Sequence, residues 1–418
     1  MQRILVAVII LLVAVLLARD PHVEKADQFF LDWLLRNIDP TPGERLPLLV
    51  VDMTRVSLPA DKPETAPAAP RGVSSDISPL EFALFLQGIL DFKPSIVAIE
   101  PLLRWRESDR DQEQVFLDQA MRIPKLLLAA ELTSTPDPDV ASSDITGFPH
   151  VTGRRGDLPT FSGIAHQPDE DLRLISSLAY VNLPEEVSSE THVPLLFQFR
   201  GEVIPAFALQ AFLTWARVPM SEVNIVIGSR IELPRGRTIP IEPDGTLIVN
   251  PNAAKLGRHF TLNELLLLAQ QRPKDSPLAT LPDDLVLART PTVMKPDDSE
   301  EIREARAAGV LAAAIATLQS NRFVRRVSVT FDCVVLLLIA LMALVALSKR
   351  RIDIILGAIA FTAAYCLLAF GLISRYGIFI PGLVPLTAAW LLTFVALSWP
   401  RKKHAAEPVE IAAPPPAP

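Results

Sequence analysis

Residues 46–52, LPLLVVD, and 78–100, SPLEFALFLQGILDFKPSIVAIE, decide the fold. The first is an apolar run of strand length that ends in Asp52. The second opens on Ser78-Pro79-Leu80-Glu81, a helix start. Ser is placed as N-cap, Pro at the first helical position, where its missing N–H is not needed, and Glu at the third. The helix is expected to run to Phe92. Pro94-Ser95 then leads into a second apolar run, Ile96–Glu100. Strand, helix and strand in that order make a right-handed βαβ unit with parallel strands.

The pattern repeats outward. Asp109–Arg122 reads as a helix with Val115, Phe116, Leu117 and Ala120 apolar, and Pro124–Ala130 as a third strand. Residues 54–77 form a Pro- and Ala-rich loop, and 131–175 a long irregular excursion. Strands follow near 178–182, 194–199, 223–227, 230–233, 238–241 and 246–249, with helices near 204–217 and 261–271. A last strand, Asp284–Ala288, precedes a closing helix that opens at Ser299-Glu300-Glu301-Ile302, acid in its first turn as the dipole prefers. Ahead of all this, residues 22–37 predict an amphipathic helix whose Phe29, Phe30, Trp33 and Leu34 share a face, expected to pack into the core. The fold class is α/β, a mixed sheet built from βαβ units.

Four apolar runs flank this body. Ile4–Ala18 has 15 uncharged residues, short for a span of about 20. It reads as an uncleaved anchor, with a signal peptide as the other reading. Cys333–Leu347, Ile354–Ile373 and Ile378–Trp399 are the remaining three, expected to form a helical transmembrane bundle. Lys349-Arg350-Arg351 and Arg401-Lys402-Lys403 belong in the cytoplasm by the positive-inside rule, with Ser374–Gly377 as an outer turn. The large domain is then extracytoplasmic and both termini cytoplasmic. Arg322, Arg325 and Arg326 sit just outside the second span, against the rule. The divisions are an anchor at 1–19, the outer domain at 20–326, three spans within 327–400 and a disordered tail at 401–418.

Charge excludes some functions. The chain has 418 residues and a net charge of −7; its middle, 19–330, carries 32 basic and 43 acidic groups. A body at −11 lacks the basic face that nucleic acid or anionic lipid requires. Two cysteines, Cys333 and Cys366, both lie in apolar runs, which excludes a disulfide scaffold and a Cys-based zinc site. No Walker A, dinucleotide loop, HExxH or GxSxG occurs, and the six histidines show no ligand spacing. No cofactor, metal or catalytic residue is implied, and the chain reads as a non-enzyme.

With these segments in place, the chain resembles the CHASE2 family of bacterial extracytoplasmic sensor domains: an anchor, a large outer domain, then three closely spaced spans. Asp27–Arg36 (DQFFLDWLLR) resembles the family's opening helix, and Leu48–Ser57 (LLVVDMTRVS) the first strand ending in Asp. Ser95–Arg104 (SIVAIEPLLR) resembles the second strand, with Glu100 where Asp is usual, and Asp111–Ala120 the helix after it. Thr246–Asn250 (TLIVN) and Gly309–Arg326 (GVLAAAIATLQSNRFVRR) resemble the late strand and closing helix. The family's Asp-Gly-Arg turn is not recognisable around Glu185–His192, and the glycine after the last strand is absent at Ala288-Arg289. The resemblance implies a sensor of the bacterial inner membrane that usually feeds a cytoplasmic cyclase, kinase or phosphatase. Only 19 residues follow Trp399, so a protein partner in the membrane or envelope, or a homo-oligomer, is expected to supply the output. The alternative is a structural scaffold subunit of an envelope complex.

Asp52 and Glu100 each end a parallel strand, where ligands bind in open α/β sheets. If the strands are neighbours, two carboxylates face one crevice as a paired-acid or cation site; otherwise each caps a loop. Arg104 supplies a cationic rim or shields an edge. Arg322, Arg325 and Arg326 follow the closing helix almost directly into the second span, so this segment is expected to transmit a change in the outer domain.

Overall fold

The computed structural model describes residues 20–38, 45–53, 77–105, 109–136, 145–183, 191–271, 277–290, 299–327 and 351–398, with isolated positions at 12, 14 and between 331 and 341. The strands of its central sheet are β1 (Leu48–Asp52), β2 (Ile96–Ile99), β3 (Leu126–Thr133), β4 (Gly163–His166), β5 (Ser177–Tyr180), β6 (Arg258–Thr261) and β7 (Leu285–Arg289). The helices are α1 (Pro21–Asn37), α2 (Pro79–Leu90), α3 (Arg110–Ala120), α4 (Glu170–Ile175) and α5 (Phe207–Ala216), then α6 (Leu262–Gln271), α7 (Ser299–Ser320), α8 (Arg351–Tyr376) and α9 (Leu383–Ser398). The chain is mixed α/β, and it divides into two units.

In the larger unit the sheet order is β6-β1-β7-β2-β3, and β3 shares its outer edge between β5 and β4. Every neighbouring pair is parallel except β3 with β4. At the fork where β5 and β4 part, the Asn182 amide donates to the Leu132 carbonyl and accepts from its N–H, both at 2.8 Å, standing in for a strand. The βαβ unit forms as read, but β7 lies between its two strands. Crossovers through α2, α3 and α6 all advance the same way across the sheet, so right-handedness lays all three helices on one face. That face buries Leu49, Val51, Val97, Ile99, Val286 and Ala288 under Phe82, Phe85, Phe116 and Leu265. The alternate residues, Leu48, Val50, Ile96, Ala98, Leu285 and Leu287, face α5 and α7. Strands buried on both faces explain the unbroken apolar runs.

Local signals hold where a cap or a breaker acts. At the start of α2 the Ser78 N–H donates to Glu81 at 2.8 Å, the reciprocal half of a capping box. At α6, Thr261 N–H donates to the Glu264 carboxylate at 2.8 Å and Glu264 N–H to Thr261 Oγ1 at 3.3 Å. Helix α7 is buried on all sides from Val310 to Ala316; its alanines let it lie against the sheet. Arg237 holds the last turn of that helix. Its Nη2 donates to the Leu318 carbonyl in the last turn, and its guanidinium lies 4.8 Å from the Phe212 ring centre on α5. Burial pushes its pKa down.

Other expectations are corrected. Residues 145–175 are not uniformly irregular: His150–Thr152 joins a four-stranded sheet with Asn224–Val226, Arg230–Glu232 and Thr238–Pro240. The helix placed at 204–217 begins only at Phe207, because Glu202–Pro205 pairs with Leu196–Phe199. Strand β6 escapes the sequence because it is a partly exposed edge with a polar sequence, RHFT. On α1 the buried face is Asp27, Leu31, Leu34 and Leu35, while Phe29, Phe30 and Trp33 are 75, 37 and 57 % exposed. The aromatic cluster of this helix therefore does not pack into the core.

Among the described residues one helix is long and apolar enough to cross a membrane, the 25 residues Ile352–Tyr376 of α8. The expected bundle of spans is reduced accordingly. The run at 4–18 and much of Cys333–Leu347 lie outside the described residues, as do the loop at 54–76 and the tail at 401–418. The run at 378–399 is not one 22-residue helix. Ile378–Phe379 is extended and α9 has 16 residues, about 24 Å at 1.5 Å per residue. Pro385 sits in its first turn, where no intrahelical donor is lost. The N–H groups of Gly382 and Leu383 donate to Asp27 Oδ1 at 3.2 and 3.1 Å, so a buried carboxylate of α1 caps α9.

Two measurements test these anchors. Arg237→Met removes a charged hydrogen bond and a ring contact together and is expected to cost about 2 kcal/mol, read as a lower midpoint in denaturant with unchanged slope. The Thr261 donors hold the Glu264 carboxyl below its ordinary pKa. Its contribution is therefore present above the unfolded-state pKa and lost as pH falls through the lower folded value. Glu264→Gln is expected to flatten the acid-side loss of thermal stability, and an unaltered profile would remove that role.

Candidate functional site

Parallel strands bring their C-terminal ends to one edge of the sheet, where side chains past the last ladder bond are free to face a crevice. Three ends meet at the centre of that edge. Asp52 closes β1 and is in register with Arg289, which closes β7. Arg289 Nε donates to Asp52 Oδ1 at 2.5 Å, with the two side chains 12 and 27 % exposed. The ladder continues one step further: Met53 N–H donates to the Arg289 carbonyl at 2.9 Å.

Glu100 follows β2 on the other side of β7. Its N–H donates to the Ala288 carbonyl at 2.9 Å, and its carboxylate accepts from Thr290 N–H at 3.3 Å. Glu100 is buried. Asp52 and Glu100 thus flank the end of β7 and are not on neighbouring strands. Two strand spacings, about 10 Å, separate their backbones. Strand β7 separates the two carboxylates, and each has its own partner, Arg289 for Asp52 and the Thr290 N–H for Glu100, so they do not form a pair sharing a proton or a cation. A charged ligand entering here exchanges partners: an anion competes with Asp52 for Arg289, a cation competes with Arg289 for Asp52.

Arg104 is placed elsewhere. Its Nη2 lies 3.0 Å from Glu131 on β3, which His166 on β4 approaches at 3.7 Å. Arg104 is therefore a rim group of the β3 end, not a partner of Glu100. Its neighbour Trp105 packs between Phe82 and Phe116, with ring centres 6.2 and 5.1 Å away, which fixes the loop after β2.

Arg322, Arg325 and Arg326 lie past the closing helix. Asn321 takes a left-handed φ of 56° and ends α7 at Ser320. Arg322 and Arg325 are exposed, while Phe323 and Val324 between them are buried. The Arg325 N–H donates to the Gly377 carbonyl at 2.7 Å. Gly377 has φ +65°, and a Cβ there would collide with the Phe323 carbonyl oxygen. The segment after α7 is held by its backbone and by buried Phe323 and Val324.

Sequence reasoning missed three groups. Arg289 was passed over because it stands where the resemblance implied glycine. Asp284, ahead of β7, forms a buried ion pair with Arg258, which opens β6. Burial, then the charge of Arg45, pushes the Arg258 pKa down to about 10. Thr191 Oγ1 donates to buried Asp32 on α1 and lies 3.1 Å from His192 Nδ1. Partners separated by 159 residues leave no local signal. Among the described residues no three of His, Cys, Asp and Glu converge as metal ligands. In the smaller unit an open groove of about 540 Å³ is lined by Ile339, Ile354, Phe361 and Leu392, with Asp353 and Thr393 as its polar groups.

The Asp52–Arg289 contact gives a quantitative expectation. Asp52→Asn and Arg289→Met each leave a partly buried charge without its partner and are expected to cost about 2–3 kcal/mol. The double variant is expected to recover about 1–2 kcal/mol of the sum in a denaturation cycle. Costs that simply add would mean that the pair does not hold the two strand ends.

Comparison with family models, with curated proteins and with solved structures finds no match for this chain.

Proposed function

We propose that this chain is a membrane-anchored, CHASE2-like extracytoplasmic sensor or interaction subunit that acts through a partner protein. Its setting is the bacterial inner membrane, with the α/β domain outside and both termini in the cytoplasm. The reading rests on the sequence segments that resemble the family, on the apolar helix Ile352–Tyr376 and on the basic runs Lys349–Arg351 and Arg401–Lys403. The observation that carries it is the Asp52–Arg289 pair beside Glu100 at the C-terminal edge of the sheet. Charged groups that already satisfy one another suit a binding site whose occupation redistributes partners. They do not suit a chemical step, which needs a group held ready to react.

A scaffold role is the second reading. Leu174 on α4 is 79 % exposed, and Val115 on α3 and Met121 just past it are 43 and 57 % exposed. Apolar groups on two helices that pack together suit a protein contact.

The test is extraction of the full chain in mild detergent, with co-purifying proteins quantified by mass spectrometry for the wild type and Asp52→Ala. A stoichiometric partner carrying a kinase, cyclase or phosphatase, whose activity changes with Asp52→Ala at unchanged stoichiometry, supports the sensor. A stoichiometric envelope partner indifferent to Asp52→Ala supports the scaffold. Absence of any stoichiometric partner overturns both.

A further inference from the structure

Helix α1 carries apolar side chains on its buried face and on its exposed face. One face, Leu31, Leu34 and Leu35, is 2–5 % exposed. It packs with Ile248, Val324, Ile373 and Phe379. Ile373 lies in the last turn of α8, the helix long and apolar enough to cross a membrane, and Phe379 follows just after it. The other face carries Phe29, Phe30 and Trp33, all exposed. The Phe30 and Trp33 rings stack, with centres 6.1 Å apart and planes 18° from parallel, so the exposed aromatics form an ordered plate.

Charge is sorted between the two faces. Asp32 is buried and engaged by Thr191. Arg36, one turn beyond Trp33, is exposed. In the sequence Lys25 stands one turn ahead of Phe29. The end of α8 adds exposed Arg375 and Tyr376, the latter 66 % exposed.

We propose that the Phe29–Phe30–Trp33 face of α1 lies on the lipid–water boundary of an anionic bilayer, with the aromatic rings at headgroup level and Arg36 on lipid phosphate. Three observations select lipid over a protein partner. The opposite face of the same helix packs with Ile373, at the end of the apolar helix α8, and with Phe379 just after it. Trp, Tyr and Arg are the side chains bilayer interfaces favour, and arginine reaches phosphate while its stem stays in the apolar layer. Of the described carboxylates on the helix, Asp27 and Asp32 are buried, whereas Lys25 and Arg36 are exposed, which is the charge pattern an anionic surface attracts. Helix α1 as a whole keeps a small negative charge, with Glu24, Asp27 and Asp32 against Lys25 and Arg36. The inference rests on the membrane-anchored reading above.

The experiment uses the full chain reconstituted in vesicles of phosphatidylcholine alone or with about 30 % phosphatidylglycerol. Tryptophan emission is recorded with and without lipids brominated near the headgroup end of the acyl chains. Subtracting the Trp33→Phe protein isolates Trp33 from Trp105, Trp215, Trp390 and Trp399. The expected result is a Trp33 component quenched about twofold or more by brominated lipid in the anionic vesicles, less quenched in the neutral ones, and weakened by Arg36→Glu. Phe29→Trp supplies an independent reading, with its added emission quenched likewise. A Trp33 component that brominated lipid leaves untouched overturns the proposal, whether it is open to aqueous acrylamide (solvent) or shielded from it (a protein surface). The Trp33→Phe protein separates the two failures. If its remaining emission is quenched by brominated lipid while Trp33 is not, only the docking falls. If it is not quenched either, the membrane-anchored reading falls too.

Discussion

Strand β7 is apolar from Leu285 to Ala288 and buried on both faces. Such a strand has no polar side to tell it which way to face, and a slip of one residue exchanges one apolar set for another. Its register must be set from its ends, and charges do that. Asp284 at its start pairs with Arg258 at the start of β6, and Arg289 at its finish pairs with Asp52 at the finish of β1. Acid at one end and base at the other give the strand a polarity that hydrophobic patterning lacks. The order β6-β1-β7-β2, the placement of three crossover helices on one face and the meeting of Asp52, Arg289 and Glu100 at the C-terminal edge all follow from β7 being held there.

How much of this was legible depended on the range of the determining interaction. The α2 start, the apolar strands β1, β2 and β7 and the acidic opening of α7 are written within a few residues each, and they form where read. Strand β6, the Glu202–Pro205 strand and the buried face of α1 depend on partners far along the chain. The periodicity of α1 correctly announced a helix with an apolar stripe. Phe29, Phe30, Trp33 and Leu34 were read as one face, yet the structure buries the stripe through Asp27, Leu31, Leu34 and Leu35. Aromatic bulk alone does not identify the inward side when a carboxylate such as Asp27 has donors waiting in another helix.

The same distinction applies to the site. That Asp52 and Glu100 end parallel strands was readable; that Arg289 stands between them was not, because strand order across a sheet is not encoded in strand order along the chain. The insertion changes the chemistry. Two adjacent carboxylates hold a shared proton or a cation, whereas carboxylates with one strand between them are each satisfied separately, Asp52 by Arg289 and Glu100 by the Thr290 N–H. Arg104, close to Glu100 in sequence, answers Glu131 instead, since the loop after β2 is fixed by Trp105 between two phenylalanines.

The central position of β7 also bears on how the protein is made. Its residues lie 237 positions after the β1 residues they pair with. Until the chain has been synthesised as far as Arg289, β1 and β2 face each other across a gap one strand wide, each with an unpaired edge of consecutive apolar residues. Folding dominated by such distant pairings is slow, because the closure entropy of the long loop precedes any reward. During that interval the open slot is a place where any extended apolar segment, from this chain or another, fits as well as the proper strand. The cost of this topology is that the central position of the sheet is the last to be filled as the chain is made.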